Sequence, residues 1–311
     1  VSRVVAEIPA PAGTELVRAG RRRRWGRQER LAYTILLPAL GTIFVIVTIP
    51  FVLAIWQSIT TEDGTLVGFR NYTLALGNPL LYDALRATAI YALIVLPAEI
   101  ILGLAFALLV HHTVRRAGLR ATLYVLAVLP LVVPPVAVGV VARLIYAPGY
   151  GVLNYLLESA GITHSQIQWL GVPALAIGSV ASVDIWQWTP FVYLVLFAGL
   201  QTVPRESIEA AQVDGANWWT QFRYIELHYL RPLFLLILFF RVADVLRVFD
   251  HIFILTGGGP GTTTQLLSLY MYRIEFKFFD AGQAAALAVV VLVSVSVLYS
   301  LITRALPLER A

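Results

Sequence analysis

Six stretches of this chain, near residues 33–56, 87–110, 122–146, 174–198, 233–255 and 284–304, are long runs of mostly apolar residues. A helix of about 20 such residues crosses the roughly 30 Å of hydrocarbon in a bilayer, because each residue adds about 1.5 Å of rise. Composition agrees: 59% of the 311 residues are hydrophobic and 13% are charged. One aqueous core cannot hide that much apolar surface, so the expected solvent is lipid. The expected fold class is an all-α membrane protein with six transmembrane helices. Several stretches contain proline: Pro38 and Pro50, Pro97, Pro130 with Pro134 and Pro135, and Pro190. A spanning helix tolerates proline where neighbouring helices satisfy the freed backbone groups. The first stretch is too long, and lacks a small-residue cleavage site, to read as a removed signal peptide.

Basic residues orient such a chain, since Arg and Lys concentrate on the cytoplasmic side. Residues 1–30 hold eight Arg, including the run Arg21 to Arg24. The second–third connection holds Arg115, Arg116 and Arg120, the fourth–fifth holds Arg205, Arg223 and Arg231, and the C-terminal end holds Arg304 and Arg310. The opposite loops hold only Arg70, Arg273 and Lys277. Both termini are therefore expected in the cytoplasm, in a multi-pass protein of a bacterial cell (inner) membrane. The expected organisation is a basic tail over 1–30, a membrane domain over 31–305 and a short end over 306–311. The tail is read as a topology signal lying against anionic lipid, not as a nucleic-acid contact. The outer loop 147–173 is nearly uncharged and, with Tyr146 at its edge, carries Tyr150, Tyr155 and Trp169. Such aromatics favour the headgroup level. Asn71-Tyr72-Thr73 has the form of a glycosylation acceptor and is read as chance.

Cysteine is absent, which excludes disulfides, a thiol nucleophile and Cys-based metal sites. The single lysine, Lys277, lies between Phe276 and Phe278, so the chain has no G-x-x-x-x-G-K-[ST] phosphate loop. No cofactor is expected in this chain. The five histidines are His111, His112, His164, His228 and His251. None has a partner at metal-ligand spacing, and adjacent His111 and His112 are expected on different faces, so no metal is expected. No Ser/His/Asp set can be argued from spacing.

The inner connection 201–231 is the one inner segment with structure of its own. Pro204 can open a helix, and Glu206 and Glu209 suit its positively polarised first turns. Gly215 interrupts it, and Trp218, Trp219, Phe222, Ile225 and Leu227 form a second apolar run. A short helix, a bend and a second helix would either dock against a partner below the bilayer or simply re-enter lipid. The run Glu209-Ala210-Ala211-Gln212-Val213-Asp214-Gly215-Ala216 resembles the EAA loop of permeases from binding-protein-dependent ABC importers, with its pattern E-A-A-x-x-D-G-A and a later I-x-L-P. Here the later motif is Ile225-Glu226-Leu227-His228, so His228 replaces the usual proline, while Pro232 follows. The resemblance extends over about residues 30–305. It includes Gly68-Phe69-Arg70-Asn71-Tyr72, Trp186-Gln187-Trp188-Thr189-Pro190-Phe191, Ala198 to Pro204, Arg247-Val248-Phe249-Asp250 and Leu255 to Pro260. The subgroup it resembles is the MalF-like half of the carbohydrate-uptake permeases.

The resemblance implies a type I ABC importer permease fold and a division of labour. A cytoplasmic ATPase dimer binds ATP and Mg and supplies the energy. An extracytoplasmic solute-binding protein delivers the solute, and a second, homologous permease subunit completes a heterodimer. Within 201–231, Glu209, Ala210, Ala211, Asp214 and Gly215 would couple the permease to the ATPase. Small Ala210 and Ala211 permit close packing, Gly215 allows the bend, and Glu209 offers a charge. The implied cargo is a mono- or oligosaccharide. A glycerophosphodiester or polyol phosphate competes, because Arg241 and Arg247 could offset an anionic group.

The fifth stretch carries Arg241, Asp244, Arg247 and Asp250, alternating in sign at a spacing of three. Residues three apart are neighbours on a helix, so these four can form a self-neutralising ladder. Glu99, Asp184 and Arg143 are further charges inside stretches. Ionisable groups at such depth face a bundle interior or a water-filled route. The ladder is therefore either an ion-pair network between helices or part of the solute pathway. On the pathway reading, the lining residues are Asp184, Trp188, Phe191, Asp244 and Arg247, with aromatic faces for sugar rings and polar groups for hydroxyls. Two other classes remain at this stage: an ion-coupled secondary carrier using Asp184, Asp244 or Glu99, and an intramembrane enzyme using the same acids.

Overall fold

A computed structural model describes residues 27–114 and 116–305; residues 1–26 of the expected tail, Arg115 and the end 306–311 lie outside the described residues. The chain forms two compact units, residues 1–52 and 53–311. In the first, the described part is the start of helix α1 (Arg27–Ile59). From Tyr33 on it is apolar and exposed along its length, with Leu37, Phe44 and Ile46 at 66%, 67% and 65% exposure. A helix that is hydrophobic all round needs an apolar solvent.

In the second unit, α1 ends at Ile59 and the chain turns into α2 (Arg70–Leu76). The turn is tied by Asn71, whose Nδ2 donates to the carbonyls of Ser58 at 3.1 Å and Thr60 at 2.9 Å. The Asn71 amide of that Asn-Tyr-Thr motif is buried. Helix α3 (Pro79–Thr113) starts with proline at its first position and an Asn78 side-chain cap on the Leu80 amide. It packs most extensively on α7 (Pro173–Leu200). Gly103 makes that approach possible: a Cβ there would lie 2.6 Å from the Val192 Cβ and 3.0 Å from the Tyr193 amide nitrogen. Small residues let spanning helices close to this distance.

The third expected stretch, 122–146, is not one helix. It is α4 (Ala117–Val132) and α5 (Pro135–Ile145), bent by 92°. Pro134 and Pro135 lack the amide protons needed to continue α4, and proline disfavours helical backbone in the residue before it. The carbonyl of Val133 freed at this bend accepts from the Gln187 side chain of α7 at 3.0 Å. The loop that follows contains α6 (Val152–Ser159) and closes around buried Asn154, which accepts from the Trp169 indole at 3.0 Å and donates to the Ile167 carbonyl at 3.0 Å.

After α7 come α8 (Arg205–Val213), α9 (Trp218–Gln221), a π-helical turn over Phe222–Glu226, and α10 (Leu227–Arg247). The fifth expected stretch also breaks: the backbone leaves the helix at Val248, and α11 (Asp250–Leu255) begins two residues later. Helix α11 lies against α5, where Gly139 admits the His251 backbone and the Arg143 guanidinium donates to the Ile254 carbonyl at 3.1 Å. Helices α12 (Leu267–Phe276) and α13 (Ala281–Ala305) complete the described residues and pack on each other.

The described residues are all-helical apart from one isolated bridge, Thr60 with Leu66. Four helices (α1, α3, α7, α13) are long and apolar enough to cross a bilayer, and the α4–α5 pair makes a fifth if it counts as one broken span. Helix α10 carries Arg231, Arg241, Asp244 and Arg247, too many charges to qualify by composition alone.

Candidate functional site

Three helices bring the charges of the apolar stretches together. Arg241 on α10 is 2% exposed. Its guanidinium donates through Nε to Glu99 of α3 at 2.6 Å and through one terminal nitrogen to the other Glu99 oxygen at 2.7 Å. That terminal nitrogen also donates to Asp184 of α7 at 2.9 Å, and the remaining one lies 3.6 Å from Asp244, one turn along α10. The planar fork of arginine suits a two-point grip on a carboxylate. Burying any of these charges alone would cost several kcal/mol or more, roughly what keeps isolated ions out of apolar surroundings. Here one guanidinium is shared among three carboxylates, and Arg247 adds a second cation on Asp244.

The cluster extends on both sides. His251 of α11 places Nε2 3.6 Å from an Asp184 oxygen, and the Tyr91 hydroxyl of α3 lies 3.5 Å from the same nitrogen. The Arg241 guanidinium sits 4.8 Å from the Trp188 ring, within cation–π range. Trp188 in turn meets Phe191 edge-on at 6.3 Å. Asp244 accepts from Arg247 at 2.6 Å, and Arg247 is mostly exposed.

Three of the four members of the expected ladder pair. Arg241, Asp244 and Arg247 pair along α10 as their spacing suggests. Asp250 stands apart, in the first turn of α11, because the helix breaks before it. The stronger contacts of Arg241 go to other helices. Of the five pathway candidates, Asp184 is buried, Trp188 and Phe191 are half-buried, Asp244 is partly exposed and Arg247 is open. The opposite face of α7 borders a cavity of about 540 Å³ between α3, α4 and α7, lined by Phe106, Pro130, Trp186 and Tyr193 among others and by none of the five candidates. It is almost wholly apolar, and the Thr189 and Tyr193 hydroxyls beside it are buried with no hydrogen-bond partner.

The connection 201–231 is a separate, exposed feature. Glu209 and Ala210 lie exposed on α8, Ala211 is half-buried, and Asp214 caps the helix end. Gly215 has φ +79°, a left-handed backbone that residues with a Cβ rarely adopt. Asn217 then caps α9, accepting from the Thr220 amide at 2.9 Å. Helix, left-handed residue and capped second helix make a corner between α8 and α9, which leads into the π-helical turn.

That turn ends in Glu226, 3% exposed. One Glu226 oxygen lies 3.1 Å from His112 Nε2 at the end of α3. Burial pushes the Glu226 carboxyl above the usual carboxylate range, and neighbouring His112 pulls it back. His111, His112 and Glu226 each place one potential ligand atom within 4.8 Å of the other two. Spacing alone found no third ligand for the two histidines, because Glu226 is 114 positions away and only the fold delivers it.

With this geometry in view, the comparisons with known proteins are specific. Residues 99–307 match the family described as the inner membrane component of binding-protein-dependent transport systems. A probable ABC transporter permease protein from Sinorhizobium fredii is 37% identical, over 89% of this chain and 89% of its own length. The trehalose/maltose transport system permease protein MalF of Thermococcus litoralis is 34% identical, over 86% of this chain and 91% of its own. Among solved structures, a chain of a bacterial ABC transporter involved in importing the acidic polysaccharide alginate superposes with a TM-score of 0.74 at 25% identity, covering 89% of this chain and 96% of that one.

Proposed function

We propose a working cycle that starts from one fact: this chain belongs to the family of inner membrane components of binding-protein-dependent transport systems, and it has the fold of a type I ABC importer permease. It is a multi-pass membrane component, and ATP hydrolysis falls to a separate subunit. Its cargo is a carbohydrate, as for the trehalose/maltose relative. In the cycle, α1, α3, α4 with α5, α7, α10 with α11, and α13 make six crossings, with both termini and residues 201–231 in the cytoplasm of a bacterial cell. A heterodimer with a second permease forms the solute route, a binding protein loads it from outside, and closure of an ATPase dimer drives it.

The observation that carries this reading is the corner at Gly215. Helix α8 projects between α7 and α10, is exposed on the side that holds Glu209 and Ala210, and is held at a fixed angle by a left-handed residue and a capped helix. An exposed, angled helix between two membrane helices is what a lever needs. ATPase closure pushes on Glu209, Ala210, Ala211 and Asp214, and the push reaches α10 through the π-helical turn. ATP and Mg remain on the partner throughout.

The charge balance around Arg241 favours a neutral cargo over a glycerophosphodiester or polyol phosphate. Arg241 is already engaged by Glu99, Asp184 and Asp244, and Arg247 is engaged by Asp244. No surplus positive charge is left there to hold an anionic group. Trp188 and Phe191 supply apolar faces of the kind that stack on sugar rings. The same pairing argues against an ion-coupled carrier, whose relay acids would have to be free to exchange protons.

The test is uptake of labelled trehalose and maltose into proteoliposomes that contain this chain, its partner permease and ATPase, and the loaded binding protein. ATP-dependent accumulation is expected. Uptake driven by an ion gradient in the lone chain would refute the reading.

A further inference from the structure

Two consecutive histidines end α3, and the π-helical turn brings a buried glutamate to them. We propose that His111, His112 and Glu226 bind a divalent transition-metal ion, with zinc the best match to the ligand set, at the inner root of α10. Two imidazoles and a carboxylate are a common zinc donor set, and three protein ligands leave a fourth position for water.

The geometry is close to what such an ion requires. Two ligands about 2.1 Å from a tetrahedral zinc lie about 3.4 Å apart. His112 Nε2 lies 3.1 Å from one Glu226 oxygen and 3.4 Å from the other. The widest separation in the trio is at most 4.8 Å, which a turn of a histidine ring about its broad terminal torsion can close.

The surroundings argue in the same direction. The Glu226 side chain is 4% exposed, and its partner is an imidazole that is 33% exposed. A buried carboxylate calls for fuller compensation than that, and a dication provides it. His111 Nδ1 is buried with no hydrogen-bond partner. The end of α3 is already fixed: Arg120 donates to the carbonyls of Val114 at 2.5 Å and His111 at 3.1 Å. The rings are steadied edge-on, His111 by Phe197 at 6.3 Å and His112 by Trp218 at 6.1 Å. Ligands held by their backbone and neighbours lose little freedom when an ion arrives. His112 remains a third exposed, which leaves an entry path.

The test uses the full chain with its partner subunits in detergent, stripped with a chelator and then titrated with Zn²⁺ or Co²⁺ alone. The expected result is one Zn²⁺ retained per chain after gel filtration, a visible tetrahedral Co²⁺ absorption band, and a raised thermal unfolding midpoint that Mg²⁺ does not reproduce. His112→Ala and Glu226→Gln are expected to weaken Zn²⁺ binding at least tenfold. His228→Ala, outside the trio, is expected to bind as the unmodified chain does. Equal retention in Glu226→Gln, or no retention and no midpoint rise in the unmodified chain, would overturn the site and leave a plain imidazole–carboxylate hydrogen bond. Should His112→Ala fail to fold, His111→Asn and the midpoint of the unmodified chain decide the same question. The readout is the metal itself, so its outcome is independent of whether the carbohydrate reading holds.

Discussion

Replacing Arg241 by alanine would leave Glu99 and Asp184 buried without their cation, a loss of about 3–5 kcal/mol for a broken buried pair. The expected outcome is a marked fall in the thermal unfolding midpoint in detergent. Glu99→Gln keeps a hydrogen-bond acceptor for the guanidinium, so its drop is expected to be smaller. An unchanged midpoint for Arg241→Ala would mean that the cluster is solvated and not a tie. Gly103→Val addresses packing instead. With the Val192 Cβ 2.6 Å from where a Cβ would stand, α3 and α7 must separate. The expected cost is about 1–3 kcal/mol, the usual range for overpacking. At this scale the sequence was partly legible. Glu99, Asp184 and Arg241 stand out as charges inside apolar stretches. Which of them pair is invisible, since Arg241 lies 142 positions from Glu99 and 57 from Asp184. Spacing along one helix suggested neighbours on α10, but the contacts between helices are the stronger ones.

At the scale of elements, the corner after α8 makes the sharpest expectation. Proline cannot adopt φ +79°, so Gly215→Pro must re-aim the helix. Glu209→Lys changes only an exposed charge. Both are expected to lower ATP-driven uptake by tenfold or more while gel-filtration profile and unfolding midpoint stay within a few degrees of the unmodified chain. Normal uptake by both would remove the lever. Asn217→Ala, which loses the cap on α9, is expected to cost about 1 kcal/mol. The helix, bend and second helix could be read from Pro204, Gly215 and the apolar run after it. The π-helical turn could not, because it differs from an α-helix by one extra residue and carries no sequence mark. The broken helices were half legible. Pro134 and Pro135 announced a disturbance, but whether neighbours would absorb it or the chain would bend by 92° depends on α7 and α11. The break before Asp250 has no proline and no glycine to announce it.

For the whole molecule, the absence of cysteine makes the arrangement across the membrane directly measurable, because each introduced cysteine reports alone. A membrane-impermeant maleimide is expected to label Asp63→Cys and Gly161→Cys in intact cells, and Glu209→Cys only after permeabilisation. Labelling of all three from one side would refute the six-crossing arrangement. Apolar run length set most of the architecture, and the family resemblance carried the rest. Helix α10 is the stretch on which apolar run length and charge content disagree: 233–255 reads as apolar, yet Arg231, Arg241, Asp244 and Arg247 keep the helix from qualifying by composition.

The knot at Arg241 also constrains how the molecule can move. Helices α3, α7 and α10 cannot shear past one another at that depth without stranding a carboxylate. A rearrangement that keeps these ion pairs carries the three helices together as a single plate. The flexing then falls to the joints that flank the plate: the kink between α4 and α5, and the short gap between α10 and α11.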